Sequence, residues 1–365
     1  MQIIGIIAEY NPFHNGHLYQ IEEVKRLYPD SLIIVVLNGY FLERGELSIL
    51  TKEDKAKLCL EYGVDLVVEL PCLFGTQAAD IFAEKAILLL NELKAEKLVF
   101  GSESNNINKL KEIAKKQLEE DLNDQIKTYL KKGCNYPTAL KKALNIDFDY
   151  NNPNDLLGIS YIKVILKNNL DIEPISIQRT NNYHDVTSND NIVSASNIRN
   201  RLHNNEVITK FIPYQNANFY LNSYFSYLKY AILNNDLTNI LSVDEGLDNL
   251  LLKYILDVSS VTELINKLKS KRYTYNRLQR MLVHILLNIL KEDSNLSLEY
   301  IKILGFNKKG RSYLNKVKKD FSIPLYNNKL SSKVKDYELK TSLIYDLINH
   351  TNTYNFELKN KPLIK

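Results

Sequence analysis

Two histidines set three apart with a glycine between them, His14 and His17 around Gly16, are two of only six histidines in a chain of 365 residues. Imidazoles at that spacing are hydrogen-bond donors for an anion, and Gly16 has no side chain to block a phosphate oxygen. A second set of the same character lies at Ser194, Ser196 and Arg199 in Val193-Ser194-Ala195-Ser196-Asn197-Ile198-Arg199. Two hydroxyls and the amides of a helix start can hold the β- and γ-phosphates of a triphosphate, while Arg199 compensates charge on departing pyrophosphate. A plain serine cap explains one of the serines but not the set. Together the two groups predict a pair of anion sites suited to the phosphates of a nucleotide.

The surrounding pattern says what positions them. Ile3-Ile4-Gly5-Ile6-Ile7-Ala8 reads as a buried strand, and Leu18, Ile21, Val24 and Leu27 share one face of a helix that should begin near His17. Both histidines then stand at a helix N-terminus, where unpaired amides and the helix dipole favour an anion. Further strands are predicted at 31–37, 65–70, 97–100 and 175–177, with helices at 51–62, 77–94, 107–132 and 155–169. This alternation predicts an α/β chain with a Rossmann-like, doubly wound parallel sheet. Ligands bind such sheets outside the strand ends where the order reverses, here between the first and fourth strands, so Gly101 should face His14 and His17. Asn154 or Asp155 would cap the helix after Pro153, Arg179 closes the fifth strand, and Asn182–Asp185 starts a polar loop without a pattern of its own.

Composition is that of a globular protein, with 45% hydrophobic and 25% charged residues. No apolar run approaches the roughly 20 residues a membrane span needs, and no signal segment precedes the first strand, so a cytoplasmic protein is expected. Cys59, Cys72 and Cys134 are widely spaced and read as reduced thiols rather than a zinc site. Charge is uneven. Residues 1–205 carry 23 basic and 28 acidic side chains, residues 206–365 carry 24 and 15. The expected division is a catalytic domain over 1–205 and a basic, mostly α-helical domain over 206–365. Three of nine arginines, Arg272, Arg277 and Arg280, fall within nine residues beside Lys271, and no acid occurs from Leu264 to Leu290. A helix from Thr274 would bury Leu278, Leu282, Ile285 and Ile289 and leave Arg277, Arg280 and His284 on another face. A second basic cluster begins at Lys308 and Lys309, and tyrosines interleave both, a composition that suits an RNA backbone and unstacked bases.

The His-x-Gly-His and serine–arginine motifs resemble the two signatures of the nucleotidyltransferase superfamily, in the expected order. A closer resemblance is carried by Glu9 through His17, Arg44-Gly45-Glu46, Asp65 through Pro71, Phe100-Gly101-Ser102-Glu103, and Lys271-Arg272-Tyr273-Thr274 with Arg277-Leu278-Gln279-Arg280. These resemble the bacterial tRNA(Met) cytidine acetate ligase family over essentially the whole chain. The family pattern is altered at Leu37-Asn38-Gly39 and at Glu43 to Leu47, leaving the 38–52 loop and Lys52 without an assigned role. The resemblance implies ATP and acetate reacting to acetyl-adenylate, then acetylation of N4 of the wobble cytidine in elongator tRNA(Met), with Mg²⁺ carried on ATP. Catalytic residues would be His14, His17, Ser196 and Arg199. The implied ATP contacts are the segment Ile7, Ala8, Glu9, Tyr10, Asn11, Pro12, Phe13, His14, Asn15, Gly16, His17, Leu18, Tyr19 and Gln20, with Gly101, Asn154, Arg179 and Ser194. Lys271, Arg272, Arg277, Arg280, Lys308 and Lys309 would contact tRNA. The alternative is a small-molecule adenylyltransferase of cofactor synthesis, which shares the histidine motif but has no need of 160 further residues with a basic surplus.

Overall fold

The computed structural model describes residues 1–146, 148–149, 152–179, 190–215 and 217–365; the predicted polar loop Asn182–Asp185 lies outside them. The first part runs β1 (Ile3–Ala8), α1 (Asn15–Leu27), β2 (Leu32–Asn38), α2 (Lys52–Glu61), β3 (Leu66–Leu70), the short α3 (Cys72–Gly75), α4 (Ala79–Glu92) and β4 (Lys97–Ser102). Then come α5 (Ile107–Lys116), α6 (Glu120–Lys131), α7 (Tyr136–Leu144), α8 (Pro153–Lys167), β5 (Glu173–Gln178) and α9 (Ala195–His203). The helix expected over 107–132 is two helices. The break lets Leu110, Ile113 and Ala114 of α5 and Leu122 and Ile126 of α6 enter one core.

Sheet order is β5-β4-β1-β2-β3-β6-β7. Strands β1 to β5 pair in parallel, and the order reverses between β1 and β4, where the crevice was expected. Each β2 residue is buried: Leu32, Ile34 and Val36 join the core on one face, while Ile33, Val35 and Leu37 join that on the other. A parallel strand covered on both faces needs such an unbroken apolar run.

The rest of the chain is α10 (Phe225–Asn234), α11 (Leu247–Tyr254), α12 (Val261–Leu268), α13 (Tyr275–Leu287), β6 (Ile303–Phe306), α14 (Lys308–Val317), α15 (Lys333–Asn349), α16 (Tyr354–Lys359) and β7 (Leu363–Ile364). It is mostly helical, yet β6 pairs antiparallel with β3, and β7 pairs with β6, so the sheet takes its last two strands from beyond residue 205. Cys59, Cys72 and Cys134 are free thiols. Among the described residues no helix is long and apolar enough to cross a membrane.

Candidate active site

A cleft opens at the carboxyl ends of β1 and β4, lined by His14, Gly16, His17, Gly101, Asn154, Arg179, Ser194, Ser196 and Arg199. Ile7, Ala8, Glu9, Tyr10, Asn11, Tyr19 and Gln20 of the predicted segment also line it; Pro12, Phe13, Asn15 and Leu18 do not. Phe13 is buried and stacks on Tyr62, and the Asn15 amide bonds the carbonyls of Asn191 and Lys210, so these two hold the turn in place.

The helix α1 begins at Asn15, two residues before the expected start, because His14 is its cap. Its Nδ1 accepts from Gly16 N at 3.0 Å, while His17 Nδ1 accepts from His14 N at 3.2 Å. This reciprocal pairing is a capping box built from two imidazoles. The backbone amides expected to await an anion are therefore already engaged: Asn15 N donates to Phe211 O at 3.0 Å and His17 N to His14 O at 2.8 Å. The rings stack with centroids 3.7 Å apart. A Cβ on Gly16 would stand 2.9 Å from His14 Cε1, so glycine here makes room for the capping ring.

Burial holds both imidazoles neutral. It lowers His14 to about 3, helped by Arg179 and Arg199, and it lowers His17, helped by His14 and Arg179. A neutral ring whose Nδ1 accepts a hydrogen bond must carry its proton on Nε2. Each histidine thus offers the cleft one fixed N–H donor and no lone pair.

At α9, Ser194 is the cap, accepting from Asn197 N at 3.2 Å. Arg199 donates to Asn11 O at 2.8 Å and to Ser196 Oγ at 3.3 Å, and it pairs with Glu46 at 2.9 Å. The predicted pyrophosphate-binding cation is thus clamped across the cleft mouth, linking α9, the histidine turn and the loop after β2. On the β4 side, Glu103 caps α8, accepting from Asp155 N at 3.0 Å and from the Asn154 amide at 2.6 Å. Arg179 lies 4.0 Å from Glu103, and a Cβ on Gly101 would be 3.4 Å from Arg179 Cγ.

The loop 40–48, to which the residue pattern gave no role, supplies the acidic wall of the cleft: Glu43 and Glu46, alongside Glu9 at the end of β1. Asn38 Nδ2 and Glu43 N both bond Glu9 Oε1, at 2.9 and 2.7 Å. Arg44-Gly45-Glu46 was visible as a motif, but only the fold shows its seat. Gly45, at φ +77°, lies against the backbone of α13, and a Cβ would be 2.6 Å from Arg280 N. Gly45→Ala should cost at least about 1–2 kcal/mol from the left-handed conformation alone. The check is a denaturant midpoint that falls while the slope m stays constant.

Arg280, predicted to contact tRNA, turns inward and pairs with Glu43 at 3.0 Å. His284, expected on the same open face, is buried and bonds Thr76 O at 2.8 Å, because α13 is covered on that side by the turn after α3. Lys271 and Arg272 are exposed, the latter paired with Glu245, and Arg277 stacks on Tyr273 at 4.6 Å. These three share the approach to α13. Lys308 and Lys309 lie elsewhere: Lys309 bonds Ser31 O and stands 3.8 Å from Asp65, at the amino ends of β2 and β3, opposite the cleft.

The model of the HIGH Nucleotidyl Transferase family matches residues 1–361. The chain is 39% identical to the tRNA(Met) cytidine acetate ligase of Bacillus subtilis, over 95% of this chain and 92% of that one. It is 38% identical to the enzyme of the same name from Clostridium perfringens, with both chains covered completely. The crystal structure of apo TmcAL from Thermotoga maritima superposes with a TM-score of 0.91 at 26% identity, covering 100% of this chain and 99% of that one. The same protein bound with alpha-thio ATP gives 0.87 with the same coverage.

Proposed function

This chain belongs to the tRNA(Met) cytidine acetate ligase family of HIGH nucleotidyl transferases, and from that premise we propose how its cleft works. The protein is an ATP-dependent ligase that joins acetate to cytidine in tRNA(Met). In the first step an acetate oxygen attacks the α-phosphorus of ATP, the bond to the β-phosphate oxygen breaks, and acetyl-adenylate and pyrophosphate form. The second step transfers the acetyl group to N4 of the wobble cytidine of the elongator tRNA(Met).

One observation carries this reading: two neutral, stacked imidazoles present fixed Nε2–H donors at the sheet's switch point. Donors held in advance bind the charge that grows on the α-phosphate oxygens without reorganising. Arg199, already at the cleft mouth, exchanges part of its bond with Glu46 for the departing pyrophosphate. Mg²⁺ enters with ATP as part of the substrate. The described carboxylates close enough to hold an ion among themselves are Glu69, Glu338 and Glu357, which lie outside the cleft lining with Lys52 and Lys302 between them.

Acetate is ionised at neutral pH and needs positioning rather than activation. Cytidine would approach along α13, which carries Arg277, follows Lys271 and Arg272 in the chain, and is touched at Gln279 and Arg280 by Gly45 of the acidic loop. Arg277→Ala should leave acetate-dependent exchange of pyrophosphate into ATP in place, since exchange needs no tRNA. It should raise the KM for tRNA about ten-fold and lower the log–log salt slope by about one. The reading as a whole is tested by incubating the protein with ATP, labelled acetate and total tRNA and searching the digested RNA for acetylated cytidine by mass.

A further inference from the structure

Acetylation of an exocyclic amine releases a proton, and the cleft's own groups narrow down what takes it. Neither histidine can: each Nδ1 already accepts a backbone amide and each Nε2 carries a hydrogen. Both oxygens of Glu46 are held by Arg199, Oε1 at 3.1 Å and Oε2 at 2.9 Å. Glu9, at the end of β1, accepts at Oε1 from Asn38 Nδ2 and Glu43 N, and its Oε2 has no hydrogen bond among the described residues. Of the two carboxylates Glu43 is the one paired with the helix that carries the basic approach. Its Oε1 meets Arg280 of α13 at 3.0 Å, and its Oε2 has no hydrogen bond among the described residues, with Arg44 Nε 4.0 Å away. The loop that carries it is pinned by Gly45 on α13 and by backbone bonds from Leu42 N to Glu46 O and from Ser48 N to Tyr40 O.

We propose that Glu43 Oε2 is the general base of acetyl transfer and that Arg280 is its positioning residue, an inference that rests on the ligase reading above. The cytidine N4 attacks the acetyl carbonyl carbon of acetyl-adenylate, and a C–N bond forms. Glu43 takes a proton from that nitrogen. The bond from the acetyl carbon to the adenylate oxygen then breaks, and AMP leaves with the electron pair. The helix α13 carries both Arg280, paired with Glu43, and Arg277, one turn before it, so the basic approach and the carboxylate are joined by one element.

Burial pushes the Glu43 carboxyl up to about 6; Arg280 opposes this, Glu9 adds to it, Arg44 lowers it a little and Glu46 raises it a little. Tyr161 of α8 also faces it. A base near the working pH is ionised yet still able to hold a proton.

The test preforms acetyl-adenylate on the enzyme and follows a single turnover with tRNA(Met) from pH 5 to 8, beside acetate-dependent pyrophosphate exchange. In the wild type, transfer should rise with pH through about 6 and level off. Glu43→Gln should lose that rise and lower the transfer-to-exchange ratio about a hundred-fold; Glu43→Asp should recover the rise in part. Wild-type transfer in Glu43→Gln, equal losses of transfer and exchange, or loss of the pH rise in Glu9→Gln alone would each overturn the assignment. If the wild type itself shows no acetate-dependent exchange, the ligase reading falls and this one with it.

Discussion

His14→Ala should abolish acetate-dependent pyrophosphate exchange, with an expected loss of at least about 10²–10³-fold, the range for removing one preorganised donor from a charge-stabilising site. The substitution does two things, and a second variant separates them. Alanine removes the Nε2 donor, and it also removes the cap that accepts Gly16 N, which costs about 1 kcal/mol of helix stability. Asparagine is among the best cap residues but is too short to reproduce an imidazole Nε2. His14→Asn should therefore unfold at nearly the wild-type midpoint and still exchange no pyrophosphate. Because His14 titrates near 3, its protonation leaves no trace in exchange rates between pH 5 and 8. Wild-type exchange in His14→Asn would mean that the ring serves the helix alone.

That double duty marks where sequence reasoning stopped. Four of the five parallel strands were legible as apolar runs ended by Gly, Pro or a polar turn and the fifth as a short Ile-Ser-Ile, and the doubly wound pattern placed the crevice. A helix start was legible too, but which group would satisfy its amides was not: a histidine pattern at a cap position looks the same whether its nitrogens face backbone or ligand. Long-range partners hid the rest. Arg280 stands in a stretch with no acid, so it read as free, whereas its partner Glu43 lies 237 residues earlier. His284 read as exposed because α13 has an apolar stripe elsewhere, yet Thr76 closes over it. The four residues of β6 carry too short a pattern to announce a strand, and their partner β3 lies far earlier in the chain, Leu66 pairing with Phe306.

The same nonlocality governs Lys52, which the sequence left without a role. It is fully buried, with Nζ 2.8 Å from Glu338 and 2.5 Å from Glu357 and also paired with Glu69. Lys302 completes the cluster, 3.2 Å from Glu69 and paired with Glu357. Three carboxylates and two ammonium groups thus tie α2 and β3 to a lysine beside β6 and to α15 and α16. Burial alone would lower the Lys52 pKa, but Glu338, Glu357 and Glu69 together hold it well above the ordinary value. Lys52→Met would leave three buried carboxylates facing one ammonium, and removing one partner of such a group costs about 3–5 kcal/mol. The expected result is a large fall in the denaturant midpoint, with the C-terminal helices losing amide-exchange protection first. Adding Glu338→Gln should recover much of the loss, because the amide oxygen can still accept Cys72 N, now bonded to Glu338 Oε2 at 2.7 Å, while the charge balance returns. If Lys52→Met were as stable as the wild type, the cluster would not be what holds the late helices on the sheet. The burden would pass to the apolar contacts of α13 and α15, where Leu278, Leu282, Val334 and Tyr345 are buried.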